Sequence, residues 1–460
     1  MDEKSYAYRS GFGAWINDVR LSATPNDNWP CSVFDEETER SIIASLDLQQ
    51  KAGFNICCMF GFFATYAWKS DIPQTVGKER TERVNRVIAA GRERNVKVML
   101  GVGVYSWGFD EIIAGDPSIQ GDNPHAMCLS SENSFTWMKK VLDFILDNFD
   151  FDGYHLEASD QGRCRCERCA KYSDVEYYSI ANAKCAEYIR QKQPGALLMV
   201  SMCGYVPWGT RITSETDYGA IIELGEHIDY LIDPGHYGGR FFEGEMREKI
   251  LKNMKCALGS SGGFWAYSPP RWAPERWFLV YIKRTCEFIK KMHEQGENAI
   301  EFYLGRTTNP GVEMNIMCGG KALSDTERPI YDIIYESVGE LYGPRDAEAQ
   351  KKLADIFVRA ESAYFENLKP EIIEEDYAGE LHLEPLFGTE PGYAMYLVGR
   401  TPEGRMDAEG RKRYGAALAG ILEDAKSLED RVGDAGKWRL GQMAACIGNV
   451  FKDVEQLANM

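Results

Sequence analysis

The sequence predicts an α/β protein built as a (β/α)8 barrel with a C-terminal α-helical domain. Three observations carry that reading. Eight short apolar runs, each paired with a segment of helical period, succeed one another over roughly 300 residues, the size and order of such a barrel. The runs are apolar on both faces, as strands of a parallel sheet covered on both sides must be. No Gly-rich phosphate fingerprint follows the first run, which argues against a doubly wound nucleotide-binding sheet.

In chain order, residues 11–18 read as the first strand, with Gly13, Trp15 and Asn17 on one face. An amphipathic helix over 35–51 closes at Ala52-Gly53. Strand 55–63, helix 78–94 and strand 96–105 continue the alternation, and helix 131–148 leads into the fourth strand, 153–157. Helix 175–193 then precedes strand 196–203, helix 218–227 precedes strand 228–233, and helix 245–258 precedes strand 263–267. Helix 276–295 leads into the eighth strand, 298–305, and 321–342 reads as the last barrel helix. The barrel is therefore expected over 1–343. Residues 344–460 are expected as a helical domain, on the helical spacing of apolar residues in 346–367 and 406–460, with a role in packing or in homo-oligomer contacts.

The 460 residues are 44% hydrophobic and carry a formal charge of -18, so a core is affordable and a nucleic-acid partner, which needs a basic face, is disfavoured. No apolar run approaches the ~18 residues of a membrane span, and the opening Met-Asp-Glu-Lys-Ser lacks a signal-peptide hydrophobic core. Thirteen cysteines, odd in number and scattered through predicted helices and strands, suit thiols in a reducing compartment. The expectation is a cytoplasmic protein without membrane partners.

In a parallel barrel, ligands bind at the C-terminal ends of the strands. In the fourth strand Gly153, His155 and Glu157 share one face, and Glu157 and Asp160 fall at or just past its end. The sixth strand supplies Asp233 and the eighth Glu301, which shares a face with Tyr303 and Gly305. Glycosidic cleavage needs one protonated carboxyl to donate to the leaving oxygen and one ionised carboxylate as base or nucleophile. These four acids are the candidate catalytic set, with a hydrogen-bonding role at the rim open for Asp233 and Glu301. Eight of the ten tryptophans fall at strand ends or in the following loops, and among them Trp15, Trp68, Trp107, Trp208 and Trp265 suit the C–H faces of sugar rings. Tyr105, His155, His236, Tyr237, Tyr267 and Arg306 complete the expected carbohydrate-binding set.

Cys164, Cys166 and Cys169 approach a metal-knuckle spacing, since Cys-x-x-Cys lets two thiolates reach one tetrahedral ion. Three sulfurs leave the set one ligand short, with Cys128, Cys203 or His125 as candidates for a structural zinc; no cofactor is expected for catalysis.

From Asp152-Gly153 through Cys169 the chain resembles the TIM-barrel domain shared by family 20 hexosaminidase-like and family 67 α-glucuronidase-like glycoside hydrolases. The α-glucuronidase pattern places its general acid in the turn that is here Ser159-Asp160-Gln161-Gly162, so the resemblance implies Asp160 in that role, whereas strand geometry points to Glu157. It also implies that the base comes from the sixth strand onward, where Asp233 stands. Two departures are visible: the N-terminal α/β domain usual in those families does not precede the first strand, and the adjacent Asp-Glu pair of hexosaminidases is absent. The expected activity is removal of a terminal sugar or uronic acid from a small glycoside. A metal-dependent sugar isomerase using Glu157, Asp233, His236 and Glu301, and a non-catalytic sugar-binding barrel, are the alternatives.

Overall fold

A computed structural model of the chain describes residues 4–13, 34–59, 68–157, 161–202, 205, 211–233, 241–242, 244–263, 277–304, 307–369 and 406–458. Eight parallel strands close into a barrel in sequence order: β1 (Tyr8–Gly13), β2 (Ile56–Met59), β3 (Lys97–Gly103), β4 (Gly153–Glu157), β5 (Leu197–Ser201), β6 (Tyr230–Asp233), β7 (Ala257–Gly263) and β8 (Ala299–Tyr303). Closure is completed by β1 pairing with β8, where Ser10 stands opposite Glu301 and Phe12 opposite Tyr303.

The outer layer comprises α1 (Glu36–Ala52), α2 (Lys78–Glu93), α3 (Asp110–Gly115), α4 (Glu132–Asn148), α5 (Asp174–Lys192), α6 (Glu215–Leu224), α7 (Gly244–Asn253), α8 (Ile282–Glu294) and α9 (Pro310–Ser324). The helices start where local chemistry satisfies their orphan amides. Asp35 caps α1 by accepting from Thr38 N. Ser173 and Glu176 form a reciprocal capping box on α5. At the other end of α1, Gly53 adopts a left-handed φ of 96°, and a Cβ there would meet Ser324 Oγ at 2.3 Å.

Strand alternation sorts side chains into two cores. Val98, Leu100, Tyr154, Leu156, Leu198, Val200 and Leu231 pack outward against the helices. Phe12, Ile56, Cys58, Met99, Leu197, Met199, Tyr230, Ile232, Ala299 and Tyr303 fill the barrel interior.

Four further helices follow among the described residues: α10 (Ile330–Tyr342), α11 (Ala347–Phe365), α12 (Ala408–Ser427) and α13 (Asp434–Ala458). Their apolar faces share one core with the outward faces of β8, α8 and α9, including Ile300, Phe302, Val312, Ile316, Val338, Phe357, Leu418 and Ile447. Polar clamps cross the same junction. Glu361 of α11 accepts from the backbone amides of Lys283 and Arg284, capping α8. Arg439 of α13 forks onto Glu313 of α9 at 2.6 and 2.7 Å. The helices expected over 346–367 and 406–460 are thus present, the second as two helices, and they extend the barrel's own core.

Several expected boundaries move. The first strand begins at Tyr8 rather than at 11, because Tyr8 and Ser10 sit on the inner face despite their polarity, while 14–18 of the expected strand lie outside the described residues. The seventh begins at Ala257 rather than at 263, and 264–267 lie outside the described residues. The expected last barrel helix over 321–342 is two helices, parted before Pro329, whose ring cannot sit within a continuous helix. Among the described residues no helix is long and apolar enough to cross a membrane.

Candidate functional site

The upper part of the barrel interior gathers groups that an apolar core would not hold. His155 and Glu157 follow one another on the inner face of β4, with Glu157 paired in register to Gly103 on one side and Ser201 on the other. His155 Nε2 lies 3.4 Å from Glu157 Oε2, and its Nδ1 lies 3.5 Å from Cys58 Sγ. Complete burial pushes the imidazole down to about 3, so the ring is neutral and the His155–Glu157 contact is not an ion pair. The arrangement suits the tautomer with its proton on Nε2, facing the carboxylate, and Nδ1 accepting from the Cys58 thiol. Phe12 packs on one side, its ring centroid 5.4 Å from His155 and 5.0 Å from Tyr303.

Across the lumen, Ser261 Oγ donates to Glu301 Oε2 at 3.2 Å, and the Ser201 side chain also hydrogen-bonds this carboxyl. Burial dominates those two bonds and raises Glu301 to about 8, so at neutral pH it carries a proton. Ser201 therefore stands beside Glu157 on the neighbouring strand and in contact with Glu301, which links the two inward carboxyls. Glu157 is 7% exposed and Tyr303 6%, against 1% for Glu301 and none for His155, so the first two face the mouth and the others lie beneath.

The β3–α3 loop bends back over this chamber. Trp107 joins the interior cluster, and both Tyr105 and Trp107 take left-handed φ near 60°, a conformation that non-glycine residues hold only when the surroundings impose it. Gly103 makes room: a Cβ on it would lie 2.5 Å from both Ser106 O and Trp107 Cβ.

Other expected site residues lie elsewhere. Asp233 is fully buried, but its neighbours on β6 set its parity. Tyr230 and Ile232 point into the lumen and Leu231 out, so Asp233 falls on the helix side. There its carboxyl accepts from Phe241 N at 3.0 Å and Phe242 N at 3.3 Å, and burial raises it to about 7. This is the rim hydrogen-bonding role, anchoring the chain after β6. Trp68 is not a subsite wall: it is buried in the helix-facing core, edge-on to Phe144, as Tyr105 is buried in the same core. Trp277 likewise lies in the core shared with the C-terminal helices. Asp160, Trp15, Trp208, His236, Tyr237, Trp265, Tyr267 and Arg306 lie outside the described residues. Sequence reasoning missed Cys58, Ser201 and Ser261. The first two were legible from strand parity, and the third was hidden by the misplaced seventh strand.

The expected cysteine cluster does converge. The sulfurs of Cys128, Cys164, Cys166 and Cys169 lie within 4.8 Å of one another, with Cys128 supplied by the segment before α4. Among the described residues it is the group of His, Cys, Asp and Glu side chains spaced to hold a metal ion.

No family model matches the sequence, and no curated protein matches it. Its likeness is to solved structures, and it is one of fold. The chain shares its barrel with a GH138 enzyme targeting pectin rhamnogalacturonan II, at a TM-score of 0.59 and 12% identity, over 98% of this chain and 71% of that one. It is similar to CpGH84B at a TM-score of 0.53 and 9% identity, over 99% and 69%. A mutant O-GlcNAc hydrolase from Thermobaculum terrenum gives the same score and identity over 98% and 83%. What these likenesses share with the chain is the fold, a (β/α)8 barrel.

Proposed function

We propose that the protein is a glycoside hydrolase that removes a terminal sugar or uronic acid from a small glycoside at the mouth of its barrel. The observation that carries this is the inward carboxyl pair, Glu157 on β4 and protonated Glu301 on β8, joined through Ser201 at the catalytic end of a glycosidase-type barrel. Glu301 supplies a proton-bearing carboxyl near neutral pH, and Glu157, nearer solvent and facing His155 Nε2, serves as base or nucleophile. Asp160, three residues beyond Glu157, is the second proton-donor candidate on the strength of the resemblance. Trp107 and Tyr303 offer apolar faces to the sugar.

The isomerase reading needs Asp233 beside Glu157 and Glu301. Asp233 sits on the opposite face of its strand, engaged by two amides, which favours the hydrolase.

The test is nitrophenol release from a panel of α- and β-aryl glycosides and uronides by wild type, Glu157→Gln, Asp160→Asn and Glu301→Gln. Turnover by wild type on one member, falling at least ~100-fold in Glu157→Gln, is expected. Loss of the proton donor should spare dinitrophenyl substrates, whose leaving group needs no proton, and so decides between Glu301 and Asp160. No turnover on any glycoside, with sugar binding intact by calorimetry, would refute the hydrolase reading in favour of a binding barrel.

A further inference from the structure

We propose that Cys128, Cys164, Cys166 and Cys169 bind one structural zinc ion through four thiolates, stapling the β4–α5 loop to the β3–α4 loop beside the barrel mouth. The sulfur spacing is the first support. Cys128 Sγ lies 3.7 Å from Cys166 Sγ and 3.5 Å from Cys169 Sγ. Four sulfurs at the ~2.3 Å of a zinc–thiolate bond stand about 3.8 Å apart along the edges of a tetrahedron. A disulfide holds its sulfurs at about 2.05 Å. One sulfur at nearly the same distance from two others, 3.7 and 3.5 Å, suits a shared ion better than either pairing.

The surroundings are built for the cluster. Cys128, Cys164 and Cys169 are fully buried and Cys166 half-buried, leaving one side for entry of the ion. The backbone amides of Arg168 and Cys169 point at Cys166 Sγ. These are donors a thiolate needs and a thiol does not. Zinc with four thiolates carries a charge of -2, and the Arg168 guanidinium, hydrogen-bonded to Cys166, lies where it offsets part of this.

The loop is also held from outside. Buried Arg163 donates to Cys164 O at 3.0 Å and Tyr172 O at 2.8 Å, and is itself fixed by Asp174 at 2.5 Å. Asn123 of the β3–α4 loop donates to Gln161 O at 2.9 Å. With cysteine in all four positions there is no open coordination site, so the ion is structural. Its reach is positional: the held loop resumes at Gln161, four residues past Glu157, the last residue of β4.

The experiment is metal analysis of the full chain, expressed with zinc in the medium and purified under reducing conditions without chelator. One zinc per chain is expected, released as an organomercurial is taken up by the four thiolates. Cys128→Ser should lose stoichiometric zinc, whereas Cys286→Ser, which removes a buried thiol of α8, should retain it. Wild-type protein free of zinc after reconstitution would overturn the proposal. So would alkylation and mass spectrometry showing these cysteines in disulfides, or a coloured protein holding iron in zinc's place. Should Cys128→Ser not fold, the wild-type stoichiometry still decides. None of these readouts depends on glycosidase activity, so the site stands or falls separately from the proposed function.

Discussion

Replacing Glu301 with glutamine should make the protein more stable and less active at once. The folded chain holds this carboxyl at about 8 because burial outweighs the bonds from Ser261 and Ser201, against about 4.5 in the unfolded chain. Below ~4.5 both states are protonated and the group adds no pH dependence. Between ~4.5 and ~8 the unfolded state has released the proton and the folded state has kept it, so stability falls as pH rises. At pH 7 that window spans about 2.5 pH units at ~1.36 kcal/mol each, roughly 3 kcal/mol. Glutamine keeps an acceptor for the serines and has no proton to lose, so it removes the penalty. Urea denaturation of both proteins from pH 4.5 to 8 should show the variant's advantage growing with pH by ~1 kcal/mol per unit. Asp233, raised to about 7, titrates in both proteins and cancels in the difference. Activity should fall at least ~100-fold over the same range if Glu301 is the acid. Parallel stability curves would refute the reasoning, because they would mean that Glu301 ionises in the folded barrel as readily as in water.

Asp233→Asn should lower the melting temperature while leaving turnover within a few fold, since an amide oxygen keeps one of the two bonds to Phe241 and Phe242 and loses the other, at roughly 1–3 kcal/mol; turnover lost with the fold intact would return Asp233 to the chemistry. Arg439→Met should cost about 3–5 kcal/mol by urea denaturation, because it leaves the buried Glu313 carboxylate unpaired, and adding Glu313→Gln should recover much of that loss. A single variant no less stable than wild type would mean that this clamp does not hold α13 to α9.

The barrel itself was legible because its strands obey two rules visible in sequence: they are short and apolar, and each is preceded or followed by a helix with readable caps. Asp35 before α1 and Ser173 with Glu176 on α5 announce their helices without reference to packing. The start of the seventh strand was missed because Ala-Leu-Gly-Ser-Ser-Gly-Gly has almost no apolar content, while the helical period of the preceding segment ran on into its first two residues. What makes this run a strand is pairing with β6 and β8, a tertiary fact.

The site divides along the same line. Parity within one strand was legible, so Glu157 with His155, and Glu301 with Tyr303, were placed on common faces and are found there. Asp233 was assigned by its position at a strand end, although parity from Tyr230 and Ile232 already turned it outward. The tryptophans at strand ends and in loops were read together, yet Trp68 and Trp277 are buried in cores outside the barrel lumen, and only three-dimensional packing decides which side of the sheet such a ring covers. Contacts between strands far apart in sequence, such as Ser201 with Glu301, have no local signature at all. It is this kind of contact that gives the site a protonated carboxyl: two serines cannot offset the loss of water around Glu301, and the barrel keeps it neutral beside Glu157.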